Sequence, residues 1–253
     1  MTRASVVTGG GRGIGRAIAL ALGGPGTFVA VTGRTRAQLD STAREIEGLG
    51  GRAVAVEMDV TSESSVHAAV AAVRAASGHV DVLVNNAGVG GGEQVEGSDI
   101  ARWRRVVDTN LTGTYLVSRE ILPLLAEGGR VVNLSSVLGR FGVAGYTAYC
   151  ASKHGVIGFT RALALELTAR RITVNAICPG WVDTEMAADG MRQGARDTGK
   201  TFEEFRSSAL GVVPIKRIIQ PDEVAGLVRF LASPDAAAIT GQTYNICGGQ
   251  TMD

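Results

Sequence analysis

The chain is poor in lysine. Of its 25 basic side chains only Lys153, Lys200 and Lys216 are lysines; the others are arginine. Cysteine and histidine are also scarce, with three of each, and aromatics make up 5%. Cys150, Cys178 and Cys247 are odd in number and lack zinc spacing, while His67, His79 and His154 stand singly. No disulfide framework or metal site is therefore expected, and such cysteine usage suits a reducing cytoplasm. Neither sign of charge dominates: 25 basic residues face 24 acidic ones, interleaved, for a net charge of +1. That balance offers no electrostatic footprint for nucleic acid. No apolar run approaches about 18 residues, and the chain enters Ser5-Val6-Val7 without a signal-peptide pattern, so neither a membrane span nor an export leader is expected.

What the chain has in abundance is glycine, 35 residues, about twice the usual share. Short β-rich apolar runs occur at Ala4–Thr8, Phe28–Thr32, Ala53–Asp59, Val80–Asn85, Arg130–Ser135, Ile172–Ile177 and Thr243–Ile246. Segments of helical period separate them, at Ile14–Leu22, Arg36–Leu49, Glu63–Ala76, Ile100–Leu125, Tyr149–Ala169 and Asp222–Ala232. Apolar strands alternating with helices indicate a parallel sheet buried on both faces. No repeat or linker divides the chain. The expectation is a single doubly wound (Rossmann) α/β domain, residues 1–253, with a seven-stranded parallel sheet and helices on both faces. Ligands in such folds sit outside the carboxyl ends of the strands. The polar, glycine-containing stretch 181–217 breaks the rhythm and reads as a substrate loop or lid.

The first strand runs into Thr8-Gly9-Gly10-Gly11-Arg12-Gly13-Ile14-Gly15, which opens a helix. Glycines let the backbone turn sharply and approach a pyrophosphate, while the helix start offers unpaired N–H groups. No Gly-Lys-Ser/Thr follows, which disfavours a phosphoryl-transfer P-loop. At the end of the second strand stands Thr32-Gly33-Arg34, with no acid until Asp40. A carboxylate there would bind a ribose 2′-hydroxyl, whereas an arginine accommodates a 2′-phosphate. Arg34, with Arg12 as a second guanidinium fork, predicts a preference for NADP(H).

Tyr149 has Lys153 four residues on, whereas Tyr146 has Cys150 at that place. On one helix face residues so spaced lie about 6 Å apart along the axis. In a chain that otherwise writes arginine, a compact ammonium at this place is a chemical choice. A cation about 4 Å from a phenol favours the phenolate by about 4 kcal/mol, or about three pKa units. Tyr149 is accordingly expected to titrate well below the usual tyrosine range, as a general acid.

The Thr8-Gly9-x-x-x-Gly13-x-Gly15 loop, Asp59-Val60, Asn85-Asn86-Ala87-Gly88, Asn110, Ser136, Tyr149-x-x-x-Lys153 and Pro179-Gly180 together resemble the short-chain dehydrogenase/reductase family. The likeness spans nearly the whole chain. It implies that Tyr149 is the proton donor in carbonyl reduction, that Lys153 lowers its pKa and holds the nicotinamide ribose, and that Ser136 hydrogen-bonds the substrate carbonyl. It further implies that Asn110 anchors a water relaying protons to Lys153. The cofactor contacts it implies are Gly9, Arg12, Gly13, Ile14, Gly15, Arg34, Asp59, Val60, Asn86, Ala87, Gly88, Pro179, Gly180, Val182 and Thr184, besides Tyr149 and Lys153. Ser135 adjoins Ser136, and only the family spacing from Tyr149 selects the latter.

Within the family the C-terminal half is most similar to 3-oxoacyl-acyl-carrier-protein reductases and bacterial aromatic polyketide ketoreductases, on Ala151–Phe159, Val213-Pro214-Ile215, Gln220–Ala225 and Asn245–Gly249. The implied substrate is a 3-oxoacyl or polyketide thioester and the implied partner an acidic acyl carrier protein. Arg130 and Arg170, with Arg102, Arg104 and Arg105, are the candidate docking residues. A steroid, polyol or cyclic ketone is the alternative substrate, and a cofactor-sensing protein without turnover the alternative class. The family also implies a homotetramer, for which Ile157, Phe159, Leu163, Leu165 and Leu167 supply either core or interface.

Overall fold

The computed structural model describes residues 2–252. Seven strands form one parallel sheet: β1 (Arg3–Thr8), β2 (Thr27–Gly33), β3 (Arg52–Glu57), β4 (Val80–Asn85), β5 (Leu125–Leu134), β6 (Thr173–Pro179) and β7 (Thr243–Ile246). Their order is β3-β2-β1-β4-β5-β6-β7. The chain winds outward from β1 to β3, then returns to place β4 on the other side of β1. That reversal leaves a crevice at the carboxyl ends of β1 and β4. Gly9 follows the first of these strands and Asn86 the second.

The helices α1 (Gly13–Ala21), α2 (Arg36–Gly48), α3 (Glu63–Ser77), α4 (Ile100–Val107), α5 (Gly113–Ile121), α6 (Thr147–Glu166), α7 (Glu185–Thr198), α8 (Phe202–Gly211) and α9 (Pro221–Ala232) complete the fold. Two apolar clusters cover the two faces of the sheet. One gathers Val6, Leu83 and Val131 with Val66, Leu116, Ile121 and Leu163. The other gathers Val7, Val84 and Ile177 with Ile18, Leu39, Val224 and Leu231. Central strands apolar on both sides are what such a two-faced burial demands.

Two expectations need correcting. The helical period over Ile100–Leu125 is not one helix. It breaks at a π-turn, Asp108–Thr112, and ends in a 3-10 turn at Leu122–Leu124. The hydroxyls of Thr109 and Thr114 bond the carbonyls of Arg105 and Asn110, competing with the helical ladder at the break. Strand β5 also starts at Leu125, five residues before the apolar run that marks it.

The stretch 181–217 contains two helices, α7 and α8. Thr184 caps α7 by accepting from the Ala187 N–H, and Gly199 ends it at φ 66°. Thr201 and Glu204 form a reciprocal capping box at the start of α8. Gly194 lets the two helices meet, since a Cβ there would lie 2.2 Å from the Phe205 ring.

Candidate active site

The crevice at the switch point is a cleft of about 560 Å³. Its floor is the glycine turn. Gly15 packs so closely beneath Gly9 that a Cβ would stand 2.1 Å from the Gly9 carbonyl oxygen. Asn86 holds this turn: its Nδ2 donates to the carbonyls of Thr8 and Gly9, and Thr8 Oγ1 accepts from the N–H groups of Asn86 and Ala87. Asn86 thus serves the cleft by shaping the loop. Helix α1 starts at the cleft with no side-chain cap and no acid in its first turn, so its first N–H groups and positive dipole end are available to an anion.

Further round the wall, Gly33, Arg34, Asp59 and Val60 line the cleft. Asp59 accepts from the N–H and hydroxyl of Thr61, bonds that hold its carboxyl below the ordinary range against the opposing cost of burial. Arg34 is exposed and carries no ion pair among the described residues. A glycine-floored trough, a bare helix start and a guanidinium where an acid would read a 2′-hydroxyl fit a phosphorylated dinucleotide.

At the other end of the cleft stand Tyr149 and Lys153, on the first turns of α6. Lys153 is 5% exposed, and its Nζ donates to the Leu134 carbonyl at 2.8 Å. Its ammonium lies 5.7 Å from the centroid of the Tyr149 ring. Burial depresses Lys153 to about 8, with a small opposing contribution from Cys178. Burial acts in the opposite sense on Tyr149, raising it to about 12, while a hydrogen bond from Ser136 favours the phenolate. The expected depression of Tyr149 by Lys153 is therefore overturned within the protein's own groups. The ammonium is bound to a main-chain carbonyl and faces the ring, and enclosure outweighs a charge in that position.

The two serines separate cleanly. Ser135 lines the cleft and its Oγ donates to the Lys153 carbonyl at 2.9 Å, whereas Ser136 lies outside the lining. Ser136 Oγ accepts from the Leu138 N–H at 3.1 Å and bonds the Tyr149 hydroxyl. Tyr146 is half-buried, its ring against Gly92, close enough to Tyr149 to add to the upward shift of that phenol.

Asn110 occupies the π-turn and is buried. Its Oδ1 accepts from the Val89 N–H, and its Nδ2 donates to the Val89 carbonyl and to Ser152 Oγ. Ser152 in turn donates to the Tyr149 carbonyl. Asn110 thereby clamps the loop after β4 to the first turn of α6. Gly88 lies between them: a Cβ there would stand 3.2 Å from Asn110 Oδ1 and 3.6 Å from Lys153 Nζ.

Of the other expected contacts, Gly9, Arg12, Gly13, Ile14, Ala87, Pro179 and Thr184 line the cleft. Gly180 backs onto Cys247, and Val182 is buried in the core, bridged to Ile219. Residues that the sequence did not mark include Ser152, Glu185 and Met186; the last two line the cleft, as does Arg105, marked from sequence only for docking. A periodicity search sees only a helix at Ser152, whereas Glu185 could have been found as the acid following Thr184. Arg130 and Arg170 are not at the mouth. Arg130 is buried and donates to the carbonyls of Gly128, Gly129 and Ser233, and Arg170 donates to that of Leu125. Both lie toward the amino ends of the strands; the six residues from Arg130 to Ser136 span about 20 Å of extended chain.

A doubly wound parallel sheet with a dinucleotide trough and a Ser-Tyr-Lys cluster at its switch point defines an oxidoreductase class. The family model described as Enoyl-(Acyl carrier protein) reductase matches residues 9–251. The chain belongs to that family, within the short-chain dehydrogenases/reductases. A Streptomyces coelicolor protein named as a ketoacyl reductase is 46% identical over 251 residues, covering 97% of this chain and 95% of its own. The 3-oxoacyl-[acyl-carrier-protein] reductase of Synechocystis is 39% identical over 252 residues, covering 98% and 96%. Among solved structures, a variant of actinorhodin polyketide ketoreductase with NADPH superposes with a TM-score of 0.94 at 43% identity, covering 98% of this chain and 97% of that one. Levodione reductase superposes at 0.92 with 32% identity, covering 99% and 98%.

Proposed function

We propose that this chain is an NADPH-dependent ketoreductase acting on the 3-oxo group of an acyl or polyketide thioester. The observation that carries the reading is the pairing of Tyr149 and Lys153 at one end of a trough built for a phosphorylated dinucleotide, with Ser136 bonded to the Tyr149 hydroxyl. NADPH, when bound, supplies the hydride. Gly9, Gly13, Ile14, Gly15, Ala87, Gly88, Pro179 and Thr184 would cradle it, with Asp59 and Val60 toward the adenine and Arg34 at the 2′-phosphate. The remaining chemistry belongs to the protein. Ser136 has a single proton, which it gives to Tyr149 in the free protein and would turn to the substrate oxygen once a ketone is bound. Tyr149, raised to about 12, is fully protonated at neutral pH and can deliver its proton as negative charge grows on the alkoxide. Lys153 then faces the nascent phenolate as a cation, and Asn110 and Ser152 hold the first turn of α6 in place. The stretch 181–217, helical at α7 and α8, closes the substrate side as a lid.

The chemistry of a carrier-bound substrate calls for a basic mouth. Arg105 lines the cleft, while Arg102 and Arg104 lie on the same helix, which makes α4 the docking face for an acidic carrier protein. On α6, Leu165 is 75% exposed while Ile157, Leu163 and Leu167 are buried. That division supports reading Leu165 as a contact between subunits of a homotetramer and the other three as core. No described helix is long and apolar enough to cross a membrane. A second reading, reduction of a free cyclic ketone, draws on the likeness to levodione reductase.

The deciding assay is NADPH oxidation with a 3-oxoacyl thioester, a β-keto ester and trans-1-decalone. Turnover of the thioester well above the other two supports the first reading, and turnover of the decalone alone supports the second. Cofactor choice is tested by Arg34→Asp. The ratio of kcat/KM for NADPH to that for NADH should fall about 100-fold, the worth of one charge-assisted bond replaced by repulsion. A wild type that prefers NADH would refute the assignment of Arg34.

A further inference from the structure

One ion pair joins the two walls of the cleft. Arg12, in the glycine turn, donates from Nη1 to Oε2 of Glu185, the first residue of α7. Both side chains line the cleft. The start of α7 rests directly on the turn, since a Cβ on Gly13 would lie 3.2 Å from Thr184 Cγ2. Glu185 is well placed even without Arg12, because a carboxylate in the first turn complements the helix dipole. Each partner is 65% exposed, and an ion pair so exposed is held weakly enough to exchange partners. Arg34, on the same wall as Arg12, makes no ion pair among the described residues and meets Asp59 only as a charge beyond contact, so of the two guanidinium groups that of Arg12 has the bound competitor.

We propose that Glu185 tempers the selectivity for a 2′-phosphate: it holds Arg12 in the free protein and yields it only when that phosphate arrives. The inference rests on the reading of the cleft as an NADP(H) site. A dinucleotide with a 2′-phosphate must displace the carboxylate to reach the guanidinium, whereas one without it leaves the ion pair in place, so the cost of displacement falls on NADPH. Exchange of the partner also frees the first turn of α7 from the glycine turn, which couples cofactor identity to the lid.

The test measures Kd for NADPH and for NADH, by fluorescence of the reduced nicotinamide, in wild type, Glu185→Gln, Arg12→Gln and the double variant. Hydrogen exchange over residues 185–190 of the free proteins accompanies it. Glu185→Gln should tighten NADPH about fivefold and NADH less than about twofold, a difference that shrinks at high salt. It should have no effect once Arg12 is absent, and it should speed amide exchange at the start of α7. Equal tightening of both dinucleotides, an effect that survives Arg12→Gln, or unchanged exchange in Glu185→Gln would overturn the proposal. Failure of the wild type to bind either dinucleotide would instead remove the cofactor reading, and this proposal with it.

Discussion

Tyr149→Phe folds, binds NADPH with a Kd that changes far less than its kcat, and loses about 10²–10⁴-fold in kcat for ketone reduction, the range for removing a positioned general acid. The ring stays and only the hydroxyl goes, so packing around α6 is retained and the loss reports proton delivery. The direction of the Tyr149 shift gives a second consequence. A phenol raised to about 12 is an acid in waiting but not a base. Reduction therefore runs at neutral pH with the proton already in place, while alcohol oxidation, which needs the phenolate, accelerates as the medium becomes alkaline. Retention of ketone reduction in Tyr149→Phe would show that another group supplies the proton, and the neighbouring Tyr146 would be the next to replace.

Lys153→Met should lower kcat/KM by about 10²–10³-fold, the loss typical of removing one preorganised charge-stabilising donor. In the wild type the same residue sets an alkaline limb. Its ammonium is depressed to about 8 by burial. It is cationic below that pH and neutral above it. Because kcat/KM follows groups of the free enzyme, kcat/KM for NADPH should be full at lower pH and fall as pH rises through about 8, and this limb should vanish in Lys153→Met. Unfolding predicts the opposite sign. A lysine whose folded pKa lies below its ordinary 10.5 releases its proton first in the native state. Its contribution to stability therefore rises with pH between about 8 and 10.5. A thermal midpoint that holds or climbs while kcat/KM falls would assign the limb to the catalytic ammonium.

Much of this was legible in the sequence for specific reasons. The seven strands announce themselves because a parallel sheet buried on both faces demands continuous apolar runs. Gly15 is legible because a Cβ there would stand 2.1 Å from the Gly9 carbonyl oxygen, and Gly9 and Gly13 because they sit at φ 65° and 52°, where side chains are strained. Lys153 stands out against a background of arginine. The electrostatics were not legible. Spacing places Tyr149 and Lys153 on one helix face but cannot reveal that Lys153 Nζ binds the Leu134 carbonyl, or that enclosure dominates both pKa values. The π-turn at Asn110 was also hidden, since it shifts the helical register by one residue inside an unbroken pattern. Ser135 and Ser136 were separable only in three dimensions, one turned to the Lys153 carbonyl and the other to Tyr149. Two of the candidate docking arginines, Arg130 and Arg170, failed for a similar reason: Arg130 reads as surface charge, yet it is buried among carbonyls at the far end of the sheet.

The central claim is that the glycine-floored trough delivers a ketone and a nicotinamide to the same place, beside the Tyr149 hydroxyl. Its most direct test is transfer of label from NADPH deuterated at the nicotinamide C4 position to a 3-oxoacyl thioester, followed by mass spectrometry of the hydroxy product. One deuterium on the carbinol carbon, from only one of the two C4 faces and lost with Tyr149→Phe, is the predicted result. A product without label, or label from both faces alike, would contradict it.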